Sequence, residues 1–281
     1  MSTSENSLIS VIMGVYYRQH DITYLMRSVE SILQQTYVNF EFLICDDGST
    51  ENAMQYLSDC ERKDERIRLI RGVPRTDLAS KLNACIRMSC GQYIARMDDD
   101  DYSYPHRFEE QLLYLQAHND VAFVGCITDL VRNNQSVGIR YLPPEPNVRD
   151  FLFVQPFIHP SLMFRRSVLL QTDGYSELPR CCGCEDYDLL LRIYQQKMHG
   201  VNIQTPLMTY TLPPSGSRKR TFHLRRNEVK TRLACFRQLH LLPGALPYVL
   251  KPVVVGCLPQ RCIERLQQYR EKCRAHKFTR E

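Results

Sequence analysis

Four consecutive aspartates, Asp98 to Asp101, are the strongest chemical feature of this chain. Like charges side by side raise one another's pKa, so such a run is costly without a counterion. A divalent cation relieves that cost, and Mg²⁺ and Mn²⁺ favour one or two carboxylates completed by phosphate oxygens. The competing explanation is a solvated cap ahead of Pro105, and the apolar segment before the run weighs against it. A second acidic pair, Asp46 and Asp47, stands in CDDGST. Gly48 and Ser49 allow a tight turn there, which an Asp side chain can shape. A carboxylate at that place can also accept a hydrogen bond from a base N–H. A third group lies in CEDYDLLLR. Glu185 and Asp186 suit a helix N-terminus, and Asp188 has the spacing to pair with Arg192. The functional reading of the ED pair is a base that deprotonates a hydroxyl. No glycine-rich phosphate loop of either familiar type occurs. Phosphate charge must then be met by metal and basic side chains, with Lys81 and Arg96 as contributors. Cys181, Cys182 and Cys184 invite a zinc reading, but no pair of C-x-x-C units supports it.

The elements around these residues alternate. LISVIMGVYY, FEFLIC, RIRLIRG and GQYIARM read as short buried strands, rich in apolar and β-branched residues. Between them, helical stripes recur: Leu25, Met26, Val29, Ile32 and Leu33; Met54 and Leu57; Leu78, Leu82, Cys85 and Ile86. Asp21 is placed to cap the first of these helices. Strand–helix alternation of this kind predicts a parallel sheet with covering helices. The acidic groups follow the second and fourth strands. Ligands of open α/β sheets bind outside those carboxyl ends, so two groups distant in sequence can share one crevice. A helix is expected from Pro105 to about His118, then the strand VAFVGC. The pattern turns irregular beyond it. NIQTPLMTYT reads as a short strand pair, and a helix begins near Glu185.

The chain has 281 residues, which suits one catalytic domain with an appendage better than two equal domains. The boundary is placed at Gly216: a catalytic domain over 1–216 and a basic, mostly helical extension over 217–281. The extension holds 16 Lys or Arg against 4 Asp or Glu, a balance of +12. The whole chain is +5, so the body carries −7. An acidic body gives no channel for a nucleic-acid backbone. The basic extension suits an anionic membrane surface, a homo-oligomer contact, or packing on the body itself. No apolar stretch reaches the ~20 residues of a spanning helix. Met1 to Leu8 lacks the pattern of a signal peptide. The twelve cysteines therefore read as mostly reduced residues of a cytoplasmic protein, peripheral at most to the inner face of the cell membrane.

From Leu8 to Tyr210 the chain resembles the family 2 glycosyltransferases, the inverting group with the GT-A type fold. The motifs that carry the resemblance are SVIMGVYYR, VESILQQTYVNFEFLICDDGST, LASKLNACIRMSCGQYIARMDDDDYSYPHRFEEQ, HPSLMFRR and GCEDYDLLLR, in that order and spacing. The resemblance implies a doubly wound, mixed and mostly parallel sheet flanked by helices. It implies a nucleotide-sugar donor, with UDP as the nucleotide. Its metal motif falls on Asp98 and Asp100, with Asp100 as ligand of Mn²⁺ or Mg²⁺ and Asp98 beside the ribose or uridine. Asp99 lies between them at the same donor site. Asp47 corresponds to the carboxylate that reads the uracil N–H, and Tyr16 is placed to stack on the base. Asp186 is implied as the catalytic base, supported by Glu185. His159 falls in an acceptor-side motif, as a contact or as a structural histidine. The implied reaction is a single displacement by a hydroxyl of a saccharide or lipid-linked acceptor. The other readings are a nucleotidyltransferase making an activated sugar, and an inactive module that binds nucleotide sugars.

Overall fold

The computed structural model describes residues 7–71, 77–214 and 221–259, with Cys262, Ile263, Arg265 and Tyr269 beyond them. At its centre is β1 (Ile9–Val15), where Ile9, Val11, Ile12, Met13 and Val15 have no exposed surface. A continuous apolar run is what a strand covered on both faces requires. Ile9, Val11, Met13 and Val15 face one core and Ile12 the other. β1 pairs in parallel with β2 (Phe40–Asp46) on one side and β4 (Tyr93–Arg96) on the other. β3 (Ile67–Ile70) extends the sheet beyond β2. Past β4 come β9 (Met163–Arg165), β6 (Val121–Cys126) and β10 (His199–Ile203). Only β9 runs antiparallel to its neighbours, so the seven-stranded sheet is mixed and mostly parallel.

Helices cover both faces. On one lie α1 (Thr23–Leu33), α2 (Glu51–Lys63) and α4 (Arg107–Ala117), which bury Leu25, Leu57 and Phe108. On the other lie α3 (Leu78–Met88), α5 (Arg166–Gln171) and α6 (Glu185–Gln195), with Leu82, Leu169 and Leu190 buried. Asp21 accepts from the Thr23 N–H at 2.9 Å, at the start of α1. Met26, read as part of the buried stripe of α1, is 37% exposed and lies off it. The strand order turns back at β1, so the crevice opens where β1, β2 and β4 end. The acidic loops are therefore brought together by topology.

A second sheet closes the cleft, and the sequence reading missed it. Its order is β5 (Tyr102–Ser103), β11 (Met208–Thr211), β7 (Thr128–Arg132) and β8 (Gln135–Arg140). β5 starts directly after the aspartate run. The segment NIQTPLMTYT does not form a strand pair: β10 adds to the edge of the large sheet, and β11 joins the small one. The β7–β8 hairpin turns through Asn133 and Asn134, both at positive φ. Asn tolerates that conformation, so the pair was its available signal. The residues of β8 from Gln135 to Gly138 are exposed, which left no buried alternation to read.

Beyond the body, α7 (Phe222–Gln238) packs on it through buried Asn227, Thr231, Arg232 and Phe236. Thr231 Oγ1 donates to the Arg180 carbonyl at 2.8 Å, and Arg232 Nη1 to the Leu152 carbonyl at 2.9 Å. α8 (Leu246–Cys257) packs on α7. Among the described residues no helix is long and apolar enough to cross a membrane.

Candidate active site

The loops after β1 and β2 are tied into one unit. The Tyr17 N–H donates to Ser49 Oγ at 2.8 Å, and the Thr50 N–H to the Tyr17 carbonyl at 2.9 Å. Asp46 shapes the turn, accepting from the Gly48 N–H at 2.9 Å and the Ser49 N–H at 3.2 Å. Gly48 sits there at φ +116°, a conformation that favours glycine. Asp47, beside it, makes a different contact. Its Oδ1 lies 3.0 Å from Lys81 Nζ, both side chains being buried. Lys81 also donates to the Val15 carbonyl at 3.0 Å, and its Nζ stands 5.6 Å from the centroid of half-buried Tyr16. Gly14 makes this possible. A Cβ there would meet Leu78 Cδ1 at 3.0 Å and Lys81 Cβ at 3.2 Å, so α3 could not approach as closely.

Lys81 and Arg96, expected to meet phosphate charge, each pair with a carboxylate in the structure. Lys81 is buried and stands with Asp47 and Tyr16. Arg96 is fully buried and pairs with Asp98 from beneath. Each cation fixes a carboxylate instead of reaching outward.

The aspartate run divides by role. The Asp98 carbonyl accepts from Ser28 Oγ at 2.6 Å. Asp101 turns inward, accepting from the Thr211 N–H at 2.7 Å, and so joins the run to β11. Its carboxyl is pushed well above the usual range by burial, then by Asp98 and Asp100. Asp99 rises to about 7 through burial, then repulsion from Asp98 and Asp100. Asp100, the exposed member of the run, rises to about 6, from desolvation by its surroundings first and then from Asp98. Such crowded oxygens are the donor set a hard divalent cation takes, and cation binding would relieve their repulsion. Among the described residues no three His, Cys, Asp or Glu converge as a complete metal cage. An ion held by one or two carboxylates and substrate phosphate needs no such cage.

Across the cleft, α6 starts at Glu185 after the loop of Cys181, Cys182 and Cys184. Cys181 and Cys184 are buried, and all the described cysteines are free of disulfides. Asp186 Oδ1 accepts from the Tyr187 N–H at 2.8 Å, and Oδ2 from Gln155 Nε2 at 2.9 Å. Two residues on, Asp188 pairs with Arg192 at 2.7 Å, as its spacing predicted, and this pair is structural. Asp98, His159 and Asp186 line one cavity of about 210 Å³, with Arg140, Gln155 and Tyr210. The last three were missed. Arg140 and Tyr210 come from the unread second sheet, and Gln155 from a loop without periodicity. His159 is buried with Nε2 2.7 Å from the Tyr175 hydroxyl. Burial, then the charge of Arg96, keeps its pKa well below the ordinary value, so the ring is neutral.

The glycosyl transferase family 2 model matches residues 10–171, more than half of the chain. The chain belongs to glycosyl transferase family 2. It is 32% identical to EpsE of Bacillus subtilis (strain 168), over 93% of this chain and 94% of that one. It is 34% identical to the O-antigen biosynthesis glycosyltransferase WbnJ of Escherichia coli, over 78% of this chain and 85% of that one. A structure of S. aureus TarS residues 1–349 with UDP-GlcNAc superposes with a TM-score of 0.67 at 15% identity, covering 86% of this chain and 72% of that one. The Pyrobaculum calidifontis mannosyltransferase PcManGT, solved with GDP-Man and Mn²⁺, gives 0.61 at 18% identity, covering 94% and 80%. These two likenesses show the GT-A fold. The enzyme transfers a sugar from a nucleotide-sugar donor. The nucleotidyltransferase and inactive-module readings give way to this one.

Glu185 gives the site a testable pH dependence. Burial, then the neighbouring Asp186, raises its carboxyl to about 7. A raised carboxylate pKa means the folded state holds a proton that the unfolded chain releases, so stability falls as pH rises toward the folded pKa. The penalty is complete above it and vanishes below the unfolded value of about 4.3. Glu185→Gln is therefore expected to raise Tm near pH ~8 and to lose that advantage near pH ~4. Thermal unfolding of both proteins across this range checks it. A gain that is equal at all pH values would contradict the assignment.

Proposed function

We propose that this glycosyltransferase moves a sugar from a UDP-sugar to a hydroxyl of a saccharide or lipid-linked acceptor, with inversion, in polysaccharide biosynthesis. The observation that carries the reading is the shared cavity with Asp98 on one wall and Asp186 on another. Tyr16 stacks on the uracil. Asp47, held by Lys81, accepts the uracil N–H, since a carboxylate accepts several hydrogen bonds at once. Asp98, braced by Arg96, faces the ribose, and Asp99 adds to the diphosphate side. Asp100 is the ligand for Mn²⁺ or Mg²⁺, which when bound supplies positive charge against the departing diphosphate.

The acceptor hydroxyl loses its proton to Asp186 as its oxygen attacks the anomeric carbon. The bond from that carbon to the UDP oxygen breaks on the opposite face, and its electron pair leaves with UDP. One displacement gives inversion, and no side chain forms a covalent intermediate. Gln155 fixes the orientation of Asp186. Glu185 stands beside it as support, and neutral His159 forms part of the acceptor wall. A catalytic domain over 1–216 does this chemistry, and the basic extension over 217–281 places it at the inner face of the cell membrane.

Hydrolysis screened across nucleotide sugars tests the activity and donor together. UDP-sugars should be turned over in preference to GDP-, ADP- and CDP-sugars, and no preference would sink the UDP reading. Asp47→Ala should weaken UDP binding by about tenfold or more, the worth of a hydrogen bond to a charged group. Calorimetry against UDP and CDP would show the discrimination shrinking. Unchanged discrimination would remove Asp47 from the base contact.

A further inference from the structure

The outer face of α8 is an uninterrupted apolar stripe. Leu246, Leu250, Val253 and Val254 are 45%, 56%, 39% and 61% exposed, and Cys257 is exposed one turn on. This spacing puts all five on one side of a helix. The opposite side is also apolar: Val249 and Pro252 are buried against the protein. Single exposed leucines are ordinary on a protein surface, but a contiguous stripe marks a contact. Lys251 is the one charged residue of α8. It leaves the stripe and folds down onto Phe153, donating to its carbonyl, with Nζ 3.9 Å from the ring centroid. Phe153 is itself 52% exposed. Two residues further, Gln155 holds Asp186. Through Lys251 and Phe153, α8 is thus tied to the loop that carries Gln155.

Charge selects what covers it. The extension carries 16 Lys or Arg against 4 Asp or Glu, and His223, Arg226, Lys230 and Arg237 are exposed on α7. Two copies meeting through such a surface would repel, whereas an anionic bilayer would be attracted. At 12 residues α8 is too short to span a bilayer, so it would lie in the interface. We infer that α8 docks this enzyme on an anionic lipid surface. Leu246, Leu250, Val253 and Val254 enter the headgroup–acyl boundary with Phe153 at its edge, so that a lipid-anchored acceptor approaches Asp186 from the membrane side. The last clause rests on the acceptor reading above.

The chain contains no Trp, so a single introduced indole reports its own surroundings. Leu250→Trp, Phe153→Trp and Val38→Trp all fall on exposed positions, with Val38 ahead of β2 at the end of the sheet remote from the site. Vesicles of phosphatidylcholine with phosphatidylglycerol, with and without brominated acyl chains, are the probe. Leu250→Trp and Phe153→Trp should blue-shift and be quenched, and Val38→Trp should not. The double variant Leu250→Asp with Val254→Asp should lose roughly tenfold or more of vesicle partitioning in flotation. Its Tm and donor hydrolysis should match the parent. Flotation of the double variant equal to the parent would overturn the docking face. So would a parent that does not float, or one that dimerises through this stripe and becomes monomeric in the double variant. Quenching at Leu250→Trp but not at Phe153→Trp would overturn the acceptor-side placement. Donor hydrolysis without vesicles tests the catalytic reading separately, so its failure is distinguishable from failure of docking.

Discussion

Asp186→Asn is expected to cut turnover by about 10²–10⁴-fold while leaving donor affinity within a few fold, the usual worth of general-base assistance. The substitution is close to isosteric, and the surroundings tolerate it. The Tyr187 N–H that Asp186 Oδ1 accepts at 2.8 Å can be kept by the amide oxygen. The other side of the amide would present N–H to Gln155, whose own amide can turn to offer its oxygen. The fold and the donor pocket should survive, and what is lost is an atom able to take the acceptor proton. Steady-state kinetics with saturating donor, beside calorimetry of UDP binding, separate these. A collapse of UDP affinity with normal turnover would put Asp186 in the wrong role. The acidic limb of the pH–rate profile should also disappear in the variant, because that limb reports the base.

How much of this could be read in the sequence follows from which forces leave a periodic trace. The strands of the large sheet are buried on both faces, so LISVIMG and FEFLIC show as short apolar runs. The carboxyl ends of those strands then locate Asp47 and the Asp98 run without coordinates. α6 was visible for a similar reason: Leu189, Leu190 and Ile193 bury one face, and an acidic first turn announces its start. The second sheet left no such trace. β5 has two residues, and β8 is largely exposed. Their pairing is fixed by tertiary contacts, such as Asp101 Oδ1 on the Thr211 N–H, between residues 110 positions apart. Local pattern carries nothing about such a bond. The same holds for Lys81 and Arg96. Composition marks them as cations near acidic loops, and only packing decides that they point inward. A lysine facing a diphosphate and one clamping a carboxylate look alike in sequence. The site was therefore legible where residue type sets chemistry, and illegible where long-range packing sets direction.

Asp100→Ala is expected to lower transfer by about 10³-fold or more, with the fold intact. Asp100 is the exposed member of the run, so its removal leaves no buried group unpaired. Asp101, by contrast, ties the run to β11, and its loss would damage the second sheet. In the parent, Asp100 is raised to about 6 by desolvation and then by Asp98. Deleting one of these crowded charges should, if anything, ease the fold, and a Tm at or above the parent's at pH ~7.5 is the expected control. Activity should move the other way. Charge stabilisation of the leaving diphosphate is worth several kcal/mol, and each 1.36 kcal/mol is tenfold in rate, so about 4 kcal/mol gives the ~10³-fold figure. Binding provides a readout independent of turnover. Mn²⁺ titrated into the parent with UDP present, followed by electron paramagnetic resonance, should show tight uptake that Asp100→Ala loses. Chelator should reduce the parent to the level of the variant and have no further effect on the variant. Full activity of the parent in excess chelator, or of Asp100→Ala in excess Mn²⁺, would overturn the assignment of Asp100. If the carboxylate instead acted only by shaping the loop, Asp100→Asn would restore most of the rate. If it acts as an anionic oxygen donor, the neutral amide should recover little.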